Sequence, residues 1–241
     1  MDLEEYREIW KSKKVLRFIY QDFYDSIDNY CISGNVLEIG GGIGNFDIGG
    51  RDVIRTDIQY SDSVSVVADA QNLPFSESSF NNIVLVDVLH HLECPLRFLD
   101  EASRVLSAGG RVVMVEPGIT LVSWILYKIG HDELVDLSWE PKVECVPNPE
   151  KDPYESNQAI PTLLFGKYSS IVKKTNFSIV DKKWMSLFAY PLSGGFQKWS
   201  LVSINLVSWL LRLEKKLIPF IGFLTAFRLI IVLENTKKTK L

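Results

Sequence analysis

The sequence predicts an α/β fold built on an open, mostly parallel sheet, and three features predict it. The first is Val36 to Phe46, reading VLEIGGGIGNF, where a short apolar run ends in Glu38 and breaks into Gly40, Gly41, Gly42 and Gly44. Glycine lacks the Cβ that would hold a ligand away from the backbone, so a strand running into such a turn suits close approach. The second is a series of further apolar runs, each reaching an acid: VIRTD to Asp57, VVADA with Asp69, and IVLVD to Asp87. The third is LRFLDEASRVL, Leu96 to Leu106, whose Leu96, Leu99, Ala102, Val105 and Leu106 fall on one side of a helix. Strands alternating with amphipathic helices are the pattern of a sheet covered by helical layers.

The remaining elements follow in chain order. Leu3 to Tyr30 intersperses aromatic and aliphatic anchors with charges and predicts one or two helices on the sheet. Tyr20 and Tyr24 read there as core residues, with closure over a ligand as their other role. Only Asn45 to Asp52 separates the glycine loop from the second strand. A parallel crossover normally takes a dozen or more residues, so the first helix is expected to shrink to a turn or two. RVLSAGGRVVMVEP, Arg104 to Pro117, gives a helix end, a Gly109–Gly110 turn and a fifth strand. Pro141, Pro147, Pro149, Pro153 and Pro161 then mark a long irregular insertion of the kind that forms lids and binding loops. Leu163 to Thr175 reads as helical, Phe177 to Tyr190 as strand six and Phe227 to Asn235 as strand seven. The segment between those strands is a helical insertion. Val202, Leu206, Trp209, Leu210 and Leu213 plot on one side, with Ser208, Arg212, Lys215 and Lys216 towards the other. It packs on the domain or a dimer interface, or else offers a basic, Trp-flanked surface to a membrane or lipid-linked substrate.

Composition bounds the function. At 241 residues, 46% hydrophobic and with a formal charge of −4, the chain is globular and has no basic excess for nucleic acid. MDLEEYREIW lacks the apolar core of a signal peptide, so a cytoplasmic location is expected. Cys31, Cys94 and Cys145 are odd in number without C-x-x-C spacing, which reads as free thiols and no metal site. Arg212 interrupts the longest apolar candidate, Trp199 to Leu211, short of the roughly 18 residues a membrane span needs. Peripheral membrane contact stays open, and the chain is expected to be a monomer or homodimer.

The acid at the first strand end selects the ligand. A dinucleotide pyrophosphate wants helix-terminal N–H groups without a carboxylate beside them. Glu38 instead suits a cation such as the amino group of an amino-acid moiety. The G-x-G-x-x-G fingerprint also fails, because its third glycine falls at Asn45, and this disfavours a nicotinamide-dependent reductase. From Val36 to Pro117 the ordered motifs LEIGGGIG, Asp57, DAQNLPF, DVLHHL, RVLSAGGR and EP resemble the class I S-adenosylmethionine-dependent methyltransferases, in particular the methyltransferase type 11, small-molecule branch.

The resemblance implies a Rossmann-like, seven-stranded, mostly parallel sheet with an antiparallel strand seven in a three-layer α/β/α arrangement. It implies a single domain: an N-terminal helical cap (1–34), a cofactor-binding half (35–118), an acceptor-side loop region (119–165), and C-terminal strands (166–241) with a helical insertion (192–226). The implied cofactor is S-adenosyl-L-methionine. Glu38 with Gly40, Gly42 and Gly44 would hold its methionine end, and Asp57 its ribose hydroxyls. Asp69 would accept from the adenine amino group, with the backbone of Ala70 facing the ring and Asp87 on the methionine side. The implied reaction is methyl transfer to a small-molecule, sugar or lipid-linked acceptor. A catalytically silent protein that binds the cofactor or a partner is the alternative. His91, His131 and Glu116, at or beyond the strand ends, are the candidate catalytic groups. Tyr127, Lys128 and Glu133 fall where such enzymes contact the acceptor.

Overall fold

A computed structural model describes residues 2–130 and 134–237, so His131 and Glu133 lie outside the described residues. Helix α1 (Leu3–Ser12) starts on a capping box: the Asp2 carboxylate accepts from the Glu5 N–H, and the Glu5 carboxylate accepts from the Asp2 N–H. Helix α2 (Lys14–Asp28) buries Leu16, Ile19, Tyr20, Phe23, Tyr24 and Ile27 at spacings of three and four, the face that a helix lays on a sheet.

The sheet contains β1 (Val36–Ile39), β2 (Val53–Asp57), β3 (Val66–Val67), β4 (Phe80–Val86), β5 (Leu106–Pro117), β6 (Phe177–Met185) and β7 (Arg228–Asn235), in the order 3-2-1-4-5-7-6. Strand β7 pairs antiparallel with both β5 and β6, and the other pairings are parallel. Alternate residues of a strand point to opposite faces, and both faces here are covered. On one side Leu37, Ile83, Leu85, Val112, Met114 and Ile231 pack with Phe98, Leu99 and Ala102 of α3 (Pro95–Val105) and with Leu164 of α5 (Ile160–Leu164). On the other, Val36, Val84, Val113, Ile230 and Val232 pack with α2 and with Val207, Leu210 and Leu211 of α8 (Ile204–Thr225). The three-layer α/β/α arrangement follows from that alternation.

Several expectations need correction. No helix forms in the first crossover; residues 40–52 are turns and extended chain, with Gly40, Gly42 and Gly44 all at positive φ. Phe46 and Ile48 fill the space a helix would have covered, Phe46 meeting Tyr24 edge to face at 5.0 Å. Strand six stops at Met185, where Ser186 turns the chain at positive φ, and Ala189–Ser193 forms the short helix α7. Leu163 to Thr175 is not one helix: α5 ends at Leu164, and only Ser169–Val172 (α6) resumes.

Helix α8 is turned from the expected orientation. Its buried positions are Val207, Leu210, Leu211, Glu214 and Gly222, while Leu206 and Trp209 are exposed beside Arg212 and Lys216. Glu214 explains this: its carboxylate accepts the N–H groups of Phe188 and Ala189, which anchors a polar side chain inward. Among the described residues, no helix is long and apolar enough to cross a membrane.

The thiols also differ from expectation. Cys94 and Cys145 form a disulfide, with Cα atoms 5.7 Å apart, and Cys31 alone is free. The proline-rich segment folds back over the start of α3, where the Asn148 N–H donates to the Glu93 carboxylate at 2.8 Å. A separation of 51 residues in sequence hides that proximity. Titration of the unfolded, unreduced protein should therefore find one reactive thiol, rising to three after reduction. Closing a loop of this length should raise stability by about 2–4 kcal/mol over Cys94→Ser in chemical denaturation.

Candidate active site at the strand ends

The carboxyl ends of the central strands open into a cavity of about 800 Å³. Glu38, Gly40, Gly42, Asp57, Asp69, Ala70, Asp87 and His91 all line it, so the structure brings the ends of several strands together at one place. Crevices beyond the carboxyl ends of parallel strands are where open α/β sheets take ligands.

Glu38, the penultimate residue of β1, is almost fully buried. Burial lifts its pKa to about 8, against the opposing pull of Arg55. Its Oε2 lies 3.0 Å from Arg55 Nε, close enough for an ion pair, but neither atom has an aligned hydrogen bond. A buried carboxylate oxygen without a hydrogen bond is an acceptor for a cation entering the cavity. Gly40 has φ +73°, and a Cβ there would come within 2.3 Å of the Val88 side chain. At Gly42 the nearest atoms to an added Cβ are Asp57 Oδ2 and Leu3 Cδ2, both at 3.6 Å and both on cavity-lining residues, so the space saved there belongs to the cavity. Gly44 does not line the cavity; a Cβ would sit 2.4 Å from that of Ser63, which makes it a turn residue and not a ligand contact.

Asp57 ends β2. Its Oδ2 accepts the Gly42 N–H at 2.9 Å and its Oδ1 accepts the Gln59 N–H at 2.8 Å. Burial raises its pKa, and these N–H groups oppose the rise. Its carboxylate thus binds the glycine loop to the neighbouring strand tip and has remaining lone pairs for a hydroxylated ligand. Asp69 follows β3, where its Oδ1 accepts from the backbone and side-chain amides of Gln71.

Asp87, just beyond β4, adopts φ +59°, a left-handed conformation that is uncommon outside glycine. Three contacts hold it: its N–H donates to Val115 O at 3.0 Å, the Tyr20 hydroxyl donates to Oδ2 at 2.9 Å, and Arg228 forms an ion pair with Oδ1. Arg228 opens β7, is buried, and lies 4.3 Å above the Tyr190 ring. Tyr20, Tyr24, Tyr190, Phe196 and Arg228 line the same cavity, so the two N-terminal tyrosines serve both core and site.

Glu116 is fully buried behind the cavity wall and does not line it. Oε1 accepts the N–H groups of Val88 and Leu89 at 2.9 and 2.8 Å, while Oε2 lies 2.8 Å from His90 Nδ1. Burial raises its pKa to about 7, with the two N–H groups pulling the other way. His90 lines the cavity, its ring centroid 4.2 Å from that of His91. The sequence pointed to His91, His131 and Glu116; His131 lies outside the described residues, and the geometry makes Glu116 the partner of His90.

On the acceptor side, Asn148, Pro149 and Lys151 to Tyr154 of the proline-rich segment line the cavity with Leu126 and Tyr127 of α4 (Leu121–Gly130). Lys151 Nζ donates to His91 O at 3.1 Å, and the Tyr154 hydroxyl to Gln59 Oε1 at 3.3 Å, which fastens this segment to both sides of the mouth. Lys128 instead lies over the Trp124 ring, 4.1 Å from its centroid. Sequence reasoning missed His90, Tyr190, Phe196 and Arg228 as a group. One signal was present: Arg228 is a charge set immediately before the apolar run Leu229 to Leu233.

Comparison with known proteins bears on the fold. Residues 37–114 match the family model described as a methyltransferase domain. An uncharacterised protein of Methanocaldococcus jannaschii is 26% identical over 119 residues, covering 46% of this chain and 57% of its own. Demethylmenaquinone methyltransferase of Clavibacter sepedonicus is 38% identical over 82 residues, covering 32% of this chain and 34% of its own. The chain thus spans 57% and 34% of the lengths of these two relatives. The crystal structure of a SAM-dependent methyltransferase from Archaeoglobus fulgidus superimposes with a TM-score of 0.54 at 17% identity, over 91% of this chain and 94% of that one. A Thermotoga maritima protein described as a SAM-dependent methyltransferase, possible histamine N-methyltransferase, gives 0.53 at 18% identity, with 95% of each chain covered.

The Asp87–Arg228 pair should be asymmetric under substitution. Asp87→Asn strands a buried guanidinium and should cost about 3–5 kcal/mol in urea denaturation. Arg228→Met leaves a carboxylate that keeps 27% side-chain exposure, and should cost less, about 1–3 kcal/mol.

Proposed function

We propose that this chain, which has the class I S-adenosylmethionine-dependent methyltransferase fold and matches the methyltransferase domain over residues 37–114, transfers a methyl group from S-adenosyl-L-methionine to a small-molecule acceptor. The observation that carries the reading is Glu38, whose buried Oε2 lacks a hydrogen bond in the cavity that also holds Asp57 and Asp69. Bound there, the cofactor supplies a methyl carbon on a sulfonium; its C–S bond breaks as the bond to the acceptor forms. Glu38 takes the ammonium of the methionine end, with Gly42 leaving room for it and Gly40 letting the turn pass close to Val88 at the cavity wall. Asp57 accepts from the ribose hydroxyls. Asp69 and the backbone of Ala70 hold the adenine, and Asp87 borders the methionine side.

The chain's part in the chemistry is mainly to align two reactants and exclude water, a contribution worth several kcal/mol. An acceptor that starts as O–H or N–H must also lose a proton. His90 receives it: the ring lines the cavity, and the buried Glu116 carboxylate 2.8 Å from Nδ1 stabilises the imidazolium that forms. In this reading residues 1–34 close one side of the cavity and 119–165 the acceptor side, and the protein works in the cytoplasm as a monomer or homodimer.

Calorimetry with S-adenosylmethionine, S-adenosylhomocysteine and NADPH tests the cofactor, with binding expected for the first two only. Transfer of label from methyl-labelled cofactor to a metabolite extract then separates an enzyme from a silent binding protein. Because burial lifts Glu38 to about 8 and a bound ammonium favours its ionised form, binding near pH ~7 should release a proton. Affinity should rise as pH increases towards about 8, and titrations in buffers of differing ionisation enthalpy would measure both effects. His90→Ala should lower kcat by about a hundredfold to ten-thousandfold while leaving cofactor affinity intact. Glu116→Gln removes the anion that sustains imidazole basicity, so the acidic limb of the kcat/KM profile should move to lower pH.

A further inference from the structure

Helices α4 and α8 pack together where Thr120 Oγ1 donates to Ala226 O at 3.1 Å and the Tyr127 hydroxyl to Phe227 O at 3.3 Å. Both leave large apolar side chains in the open. On α4 these are Leu121, Ile125, Leu126 and Ile129; on α8 they are Trp209, Phe220, Phe223 and Leu224. Ile129 is 77% and Phe220 74% exposed, which places them outside any core. An exposed apolar cluster of this size on two adjacent helices marks a surface that meets something.

The charge on this face says what. The exposed α8 positions Trp209, Arg212, Lys216, Phe220 and Phe223 recur at spacings of three and four and so form one stripe, aromatic at both ends and cationic between. The two helices carry Lys128, Arg212, Lys215 and Lys216, and their sole acid, Glu214, is buried with its carboxylate on backbone N–H groups. Lys215 is taken up by Asp22, but Arg212 and Lys216 form no ion pair among the described residues. A cationic apolar face on a chain of net charge −4 is complementary to an anionic lipid surface. A second copy fits less well, because a two-fold dimer over this stripe would bring Arg212 and Lys216 towards their own equivalents. The face is also continuous with the cavity, since Leu126 and Tyr127 of α4 line it.

We propose that the α4–α8 face docks on an anionic phospholipid bilayer, with Phe220, Phe223 and Ile129 at headgroup depth and Arg212 and Lys216 on lipid phosphates. Docking holds the cavity mouth at the lipid surface, where an apolar acceptor would reach it without crossing water. The docking itself does not depend on which reaction the cavity runs.

Co-sedimentation with vesicles of mixed phosphatidylglycerol and phosphatidylcholine, against pure phosphatidylcholine, tests it. Partitioning is expected on the anionic vesicles and should fall at least tenfold as salt rises from about 0.05 M to about 0.5 M. Phe220→Ser with Phe223→Ser should abolish it, and Arg212→Glu with Lys216→Glu should remove the preference for anionic lipid. All four side chains are exposed, so circular dichroism of these variants should match the parent. Absence of partitioning to either vesicle, or partitioning unaffected by the Phe220/Phe223 changes, would overturn the proposal. So would light scattering that finds a dimer, split by those same changes, in place of vesicle binding.

Discussion

The Glu116 carboxylate is the contact on which the rest of the site depends. Strand β5 carries it to the sheet's carboxyl edge, where it takes two N–H groups from the turn after β4 and the imidazole of His90. A turn leaving a strand end buried would otherwise leave those N–H groups unpaired, at a cost of about 1–3 kcal/mol each. By satisfying them, one side chain fixes the path of the chain from Asp87 to His91. Asp87 can then hold its left-handed conformation, and His90 and His91 come to the cavity wall.

The same economy recurs around the cavity. Asp57 ties the glycine loop to the neighbouring strand tip, and Arg228 ties β7 to the end of β4 through Asp87. Lys151 fastens the proline-rich segment to the carbonyl of His91. Each polar link joins two elements at the sheet's carboxyl edge, while the apolar residues of β1, β4, β5 and β7 hold the sheet beneath. The cavity therefore has a rigid floor and a wall made largely of loops, which is where variation in acceptor chemistry can be accommodated without disturbing the core.

The residues that failed to follow expectation failed for identifiable reasons. The segment Asn45 to Asp52 was readable as too short for a normal crossover, but the complete loss of its helix depended on Phe46 and Ile48 finding a pocket against α2. The side that α8 turns inward was misread because Glu214, a charged residue, is buried on backbone donors from the chain around α7. Helical periodicity ranks side chains by polarity and has no access to such a partner. Cys94 and Cys145 look unrelated in sequence; only the fold-back of the proline-rich segment brings them together.

The sequence by itself determined the sheet, its strand-end acids and the glycine turn, because short-range patterns of apolar runs and glycines encode backbone conformation directly. Glu38, Gly40, Gly42, Asp57, Asp69, Ala70 and Asp87 were named as a group by the family resemblance those patterns carry, and all line the cavity. Tertiary structure alone decided the rest. It paired His90 with Glu116 across 26 residues and Asp87 with Arg228 across 141, and it exposed Phe220 and Phe223 while burying Glu214. A side chain's charge state, partner and exposure are set by what packs against it from distant parts of the chain, and local sequence holds no record of those neighbours.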